Sequence, residues 1–175
     1  SGIGLSNDGR GQFVLSPNSK GQMLAYERAY DSSRITSAEI DYIECHATGT
    51  PIGDPEEIAS LERFFGRYNA NPLIGSVKAN FGHLLTAAGM ASMIKVILSL
   101  GEEQIPATIN LLDPVSSPAA VISAEQVVRQ NTVWPGNAST RFGAVNAFGF
   151  GGTNAHMVFE RQDEKQLLKS RDAEL

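Results

Sequence analysis

Ten consecutive residues, His46-Ala47-Thr48-Gly49-Thr50-Pro51-Ile52-Gly53-Asp54-Pro55, include two glycines and two prolines and so deny the chain any regular element at that point. They separate a strand-like run, Ile40 to Cys45, from a helical pattern in which Ile58, Leu61 and Phe65 share one face. Asp54 is placed to cap that helix, with Pro55 at its first position. Glu56 and Glu57 fall in the first turn, where carboxylates favour the positive end of the helix dipole, and Gly66 ends the helix. The resulting unit is strand, shaped loop, helix. It recurs: Leu73 to Val77 reads as a buried strand, Lys78 to His83 as a loop, and Leu84 to Leu100 as a helix apolar nearly all round. A chain made of such units is α/β, and its 175 residues are the length of one domain.

The remaining segments fit around that frame. Gly4 to Gly11 is dense in Gly, Asn, Asp and Ser and reads as an exposed turn. After Ser16-Pro17, near-helical spacing of Met23, Leu24, Tyr26, Ala29 and Tyr30 predicts a helix from Asn18 to Tyr30. Thr36-Ser37-Ala38-Glu39 has capping-box form with room for one turn. Two strand-like runs, Thr140 to Ala147 and Ala155 to Glu160, flank Phe148-Gly149-Phe150-Gly151-Gly152-Thr153-Asn154 and predict a hairpin with a glycine-rich connection. Residues 1–161 are expected to form the domain and 162–175 a charged linker or tail.

Composition removes several classes of function. Fourteen Lys+Arg against 19 Asp+Glu give a net charge of -5, with no basic stripe to follow a phosphate backbone, so no nucleic-acid partner is expected. The longest apolar run, Met90 to Leu100, is broken by Ser92, Lys95 and Ser99 and falls short of the roughly 20 residues of a membrane span. A lone cysteine, Cys45, excludes an internal disulfide and suits a reducing compartment, so a cytoplasmic location is expected. Cys45 and His46 are adjacent and point to opposite faces of a strand, which argues against a metal site. No helix amino terminus follows Cys45 to activate its thiol. The Phe148 to Gly152 stretch lacks the GK[ST] ending of a phosphate loop. The chain begins Ser1-Gly2 without an initiator methionine or a signal pattern, and reads as part of something longer.

His46 and His83 each lie where the chain leaves a strand end toward a helix, and loops beyond the carboxyl ends of strands are where α/β sheets bind ligands. A histidine in that position is more often structural than catalytic; here two such loops can share one crevice. At a helix amino end, His83 is expected to stay neutral and serve as an N–H donor to a carbonyl oxygen. Lys78 can add positive charge or be a solvated loop lysine, and Thr48 and Thr50 can fix the His46 loop or simply satisfy local backbone. The glycines near Phe150 suit an oxyanion-binding amide and equally suit a tight hairpin.

Taken together, Glu44-Cys45-His46-Ala47-Thr48-Gly49-Thr50-Pro51-Ile52-Gly53-Asp54, Val77-Lys78-Ala79-Asn80-Phe81-Gly82-His83 and Asn146-Ala147-Phe148-Gly149-Phe150-Gly151-Gly152-Thr153-Asn154-Ala155-His156 resemble the C-terminal half of a β-ketoacyl synthase. With Ser6-Asn7-Asp8-Gly9, the likeness spans Gly2 to Glu160. It implies a thiolase-like α/β fold, a mixed sheet with helices packed on it, and decarboxylative Claisen condensation of an acyl thioester with a malonyl thioester. By the same resemblance His46 and His83 donate to the malonyl thioester carbonyl and Lys78 supports His83. Phe150 supplies an oxyanion-hole N–H and gates the acyl pocket with Gly151, and Asn154 braces the glycine loop. The family's nucleophilic cysteine belongs to the N-terminal half, so this chain alone is expected to be inactive, with that half, an acyl carrier protein and a second copy as partners. No cofactor is expected beyond the carrier's phosphopantetheine. The family usually reads E-A-H-G-T-G-T, whereas Cys45 and Ala47 resemble the variant of polyunsaturated-fatty-acid and glycolipid-type polyketide synthases. Ser92, in place of an acid found in bacterial elongation synthases, leans toward a multidomain synthase. Noncatalytic chain-length factors usually lose these catalytic positions, and a thiolase would need a second cysteine near the final glycine loop.

Overall fold

The computed structural model describes residues 2–9, 16–115, 122–135 and 140–162. Its centre is a five-stranded mixed sheet built from β1 (Ile3–Asn7), β2 (Tyr42–Glu44), β3 (Leu73–Gly75), β6 (Thr140–Gly149) and β7 (Thr153–Gln162), in the order β1-β7-β6-β2-β3. A small second ladder joins β4 (Gln104–Ile105) to β5 (Thr132–Val133). β2 runs parallel to both β3 and β6, while β1-β7 and β7-β6 are antiparallel.

Alternation along the strands sorts side chains to the two faces of the sheet. Ile43, Cys45, Ala144 and Val158 join Tyr26, Leu61, Phe64 and Phe65 in the core beneath α1 (Ser19–Ser32) and α2 (Gly53–Phe65). Tyr42 and Val145 join Val96, Leu100 and Trp134 in the core beneath α4 (Ala88–Glu102). α1 starts where Asn18 caps it, its side chain accepting from the Lys20 N–H at 3.0 Å, one residue past the expected start. The turn at Thr36 forms as expected, with Thr36 N–H bonded to Glu39 at 2.8 Å.

Four expectations need correction. Gly4 to Gly11 is not a turn throughout, because Ile3–Asn7 is an edge strand and residues 10–15 lie outside the described ones. Its small residues serve close packing: a Cβ on Gly4 would sit 1.9 Å from the Ala25 carbonyl oxygen on α1. Lys78 to His83 is not all loop, since α3 (Lys78–Phe81) forms a short helix that ends at Gly82 with φ 78°. The long helix is preceded by a separate 3-10 turn at Leu85–Ala87 and is not apolar all round in its setting. One side packs on the sheet and carries buried Ser92, Lys95 and Ser99, while Met90, Ile94, Ile97 and Leu98 are exposed. By length and composition Leu85–Glu102 could cross a membrane, but its charged Lys95 is paired inside the fold. Finally, the β6-β7 hairpin is longer than expected, paired up to Gly149↔Thr153, so that Phe150-Gly151-Gly152 alone makes the connection. The expected tail at 162–175 lies outside the described residues except for Gln162.

Candidate active site

The ends of β2 and β3 release the two histidine loops side by side, as parallel neighbours do. The His46 and His83 rings meet nearly edge to face, with centroids 5.6 Å apart and planes at 87°, and the Phe148 ring lies 5.6 Å from that of His46. Burial, then the Lys78 ammonium and His83, lower the His46 pKa to about 3, so its ring is neutral at pH 7 and keeps one N–H. His83 is exposed and its Nδ1 accepts the Leu85 N–H at 3.1 Å, which leaves Nε2 to carry the proton. The donor form of His83 is thus selected by a local hydrogen bond at the 3-10 turn, not by the end of α4 as the sequence suggested. The two rings, each with an N–H to donate, lie side by side beyond the ends of β2 and β3.

What holds the His46 loop is a residue that sequence reasoning placed in a helix dipole. Glu57 is buried, and its carboxylate accepts the His46 N–H, the Ala47 N–H and the Asn146 amide, each at 2.8 Å. Burial pushes this carboxyl up and the three N–H donors oppose that. Ala47 takes φ 28°, a conformation that favours glycine, and the Glu57 bond to its N–H fixes it there. Asn146 passes the network on: its oxygen meets His156 Nδ1 at 2.6 Å, and His156 Nε2 meets the Tyr30 hydroxyl at 3.1 Å. Because the Asn146 amide donates to Glu57, its oxygen must accept, so His156 donates from Nδ1 and accepts at Nε2. Burial lowers the His156 pKa to about 3, in keeping with a neutral ring.

Asp54 does not cap α2, which begins one residue earlier at Gly53. Its carboxylate turns back and accepts the Gly49 N–H at 3.1 Å and the Thr50 N–H at 3.3 Å. Thr48 and Thr50 lie with their hydroxyls 3.4 Å apart, and the Thr50 hydroxyl accepts the Gly53 N–H at 3.0 Å. Glu56 stands in the first turn of α2 as expected, and its carboxylate accepts the Ser19 N–H at the start of α1, at 2.9 Å.

Lys78 is buried at the root of the second loop, close enough to Glu57, Glu44 and His46 to interact electrostatically, and burial pushes its ammonium pKa down. The charge of Lys78 therefore falls on His46. Phe150 is exposed at the hairpin tip beside Gly151 and Gly152, whose φ values of 87° and 79° suit only glycine. A Cβ on Gly152 would also meet the Asp8 side chain at 2.8 Å. The buried Asn154 amide donates to Asp8 at 2.7 Å and to the Gly152 carbonyl at 3.2 Å, tying the tip to the strand that follows it. Cys45 is buried on the α1 side, and burial, Glu57 and Glu44 raise its thiol pKa, so it is a poor nucleophile. Among the described residues no three His, Cys, Asp or Glu side chains converge as a metal site.

Residues 1–112 match the family described as beta-ketoacyl synthase, C-terminal domain, and residues 120–175 match the ketoacyl-synthetase C-terminal extension. The chain belongs to the β-ketoacyl synthase C-terminal domain family and has its thiolase-like α/β fold. Among curated relatives, it is 37% identical over 163 residues to polyketide synthase GfsA of Streptomyces halstedii, covering 91% of this chain and 2% of that protein. It is 39% identical over 166 residues to polyketide synthase PksN of Bacillus subtilis, covering 93% of this chain and 3% of that protein. Among solved structures, PfaC keto synthase-chain length factor superposes with a TM-score of 0.88 at 54% identity, over 94% of this chain and 17% of that one. Ketosynthase twelve of the bacillaene polyketide synthase of Bacillus amyloliquefaciens superposes with a TM-score of 0.80 at 39% identity, over 93% of this chain and 30% of that one.

Proposed function

We propose that this chain supplies the electrostatic half of a decarboxylative condensation site within a multidomain synthase. The observation that carries the reading is the edge-to-face His46–His83 pair, with His46 held neutral and His83 directed by its Nδ1 bond to donate from Nε2. A malonyl thioester, carried on the phosphopantetheine of an acyl carrier protein, would place its carbonyl oxygen between the two N–H groups. The bond from the α-carbon to the carboxylate breaks, carbon dioxide leaves, and the electron pair enters the enolate whose oxygen the two histidines bind. The enolate carbon then attacks the acyl thioester on a cysteine outside this chain, and that thiolate departs. The N–H of Phe150 binds the oxyanion of the acyl group, and Lys78 supports the pair.

The face of α4 bears exposed Met90, Ile94, Ile97 and Leu98, and on the same side of the sheet β1 exposes Ile3 and Leu5. Their apolar character supports packing of the complementary, cysteine-bearing half there, and a homodimer of the completed domain. Cys45 and Ala47 favour a synthase of polyunsaturated-fatty-acid or glycolipid-polyketide type, and Ser92 favours a multidomain one. A second reading, a noncatalytic partner like a chain-length factor, draws on the name of the PfaC structure, and retention of His46, Lys78 and His83 weighs against it.

Coexpression with a ketosynthase N-terminal half, followed by assay of malonyl-carrier decarboxylation, tests the proposal. Activity is expected from the pair and none from this chain alone. A well-folded complex that releases no carbon dioxide refutes the condensing role and favours the noncatalytic one.

A further inference from the structure

Among the described helices α4 is the most apolar, yet one of its inward residues is a lysine. Lys95 Nζ reaches Glu44 at 2.7 Å and the Tyr42 hydroxyl at 2.8 Å, and that hydroxyl donates to the same Glu44 oxygen at 2.6 Å. Lys95 is 8% exposed and Glu44 and Tyr42 are 0% exposed, so this is a closed, dry triangle. Such a pair is a poor device for stability alone, because desolvating two charges offsets their attraction and apolar replacements of like volume often do as well. Its geometry supplies a different account. The other Glu44 oxygen accepts the Val77 N–H, immediately before Lys78.

One carboxylate is therefore tied to both ends of the segment that carries His83. At the start it holds Val77 directly. At the far end, beyond Gly82 and the Leu85–Ala87 turn, it holds α4 through Lys95. Glu44 also ends β2, two residues before His46. Since His83 is itself exposed, nothing buried fixes its ring directly, and its position against His46 depends on how the ends of its segment are fixed. We infer that Glu44 and Lys95 are positioning residues that set the His83 segment against His46. The catalytic consequence rests on the condensing role proposed above; the geometric one does not.

The test uses the complete ketosynthase domain, this chain together with the half that supplies the cysteine. The variant is E44Q/K95M, which removes both charges, leaves an acceptor for the Val77 N–H, and severs the tie to α4. Thermal stability is expected to stay close to that of the parent, while kcat for malonyl-thioester decarboxylation falls about tenfold to a hundredfold, as for a catalytic group displaced by about 1 Å. KM should remain within about twofold, because substrate binding is not what the pair controls. In parallel, the proton–proton contact between the two imidazole rings, read by NMR, should weaken. An unchanged kcat, or a lowered kcat with the ring contact intact, overturns the inference. If the parent domain releases no carbon dioxide, the condensing role has failed and the ring contact alone decides the positioning. Should the variant not fold, the parent decides: the Val77 amide is expected to exchange slowly with solvent, and exchange at the rate of an exposed loop amide overturns the inference.

Discussion

The two faces of the sheet place a buried carboxylate beneath each histidine loop, but they neutralise it differently. On the face covered by α1 and α2, Glu57 is met by three N–H groups and no contacting cation. On the face covered by α4, Glu44 is met by an ammonium, a hydroxyl and one N–H. The first face has a second tier of aromatic residues, Tyr26, Tyr30, Phe64 and Phe65, that can position a neutral relay through Asn146 and His156. α4 is one helix thick with its outer side exposed, and a single long lysine does the work of that tier. The same task, holding the backbone of a loop, is thus done by hydrogen bonds on the finished face and by charge on the unfinished one. The two loops should consequently fail in different ways.

The largest expected effect tests the finished face. Glu57→Ala strips the acceptor from two loop N–H groups and the Asn146 amide, all in a buried setting. Unfolding by denaturant should reveal a loss of about 3 kcal/mol or more, since each stranded buried donor costs about 1–3 kcal/mol. A loss under about 1 kcal/mol would mean that water reaches these groups and that the neutral network does not brace the loop.

A smaller effect separates the faces by pH. His156 has a folded pKa lowered from 6.5 to about 3, so below pH 6.5 the unfolded chain takes up a proton that the native ring refuses. Stability contributed by the neutral ring is present above pH 6.5 and is lost as pH falls toward 3, with a slope approaching 1.4 kcal/mol per pH unit from this one group. His46 acts in the same direction over the same window, and Glu57, whose carboxyl is pushed up, acts against them. Replacing His156 with Gln should flatten the acid limb of a stability–pH profile by up to one proton. An unchanged limb would show that His156 is already charged in the fold.

The sequence is informative where chain geometry is local and silent where it is not. Glycines and prolines around His46 and Gly82 announce loops at strand ends, and Thr36 and the Phe148–Asn154 stretch announce their cap and hairpin. Ile3–Asn7 escapes because Gly4, which suggests a turn, lets the strand pass beneath Ala25 and Ala29 of a helix some twenty residues away. Glu57, Glu44 and Lys95 escape for a related reason. Their partners lie as far as 89 residues away, on groups whose convergence no periodicity encodes. Lys95 looks like an interruption of an apolar helix until the end of β2 is placed beneath it.

The smallest effect on stability should accompany a large effect on chemistry, and it falls on His83. Its ring is exposed, its Nδ1 bonds only the nearby Leu85 N–H, and its contact with His46 is edge to face. His83→Ala should therefore leave the unfolding free energy of this chain within about 0.5 kcal/mol, as for an ordinary surface change. It removes one of two proposed donors to the enolate oxygen, a loss worth about a hundredfold to a thousandfold in decarboxylation. His46→Ala should cost comparable activity and more stability, because that ring is largely buried against Phe148 and His83. The contrast distinguishes a donor pair from a structural one. If His83→Ala weakens folding as much as His46→Ala while decarboxylation changes in proportion, the rings serve packing, and the exposed edge of His83 is no more than the rim of the cleft.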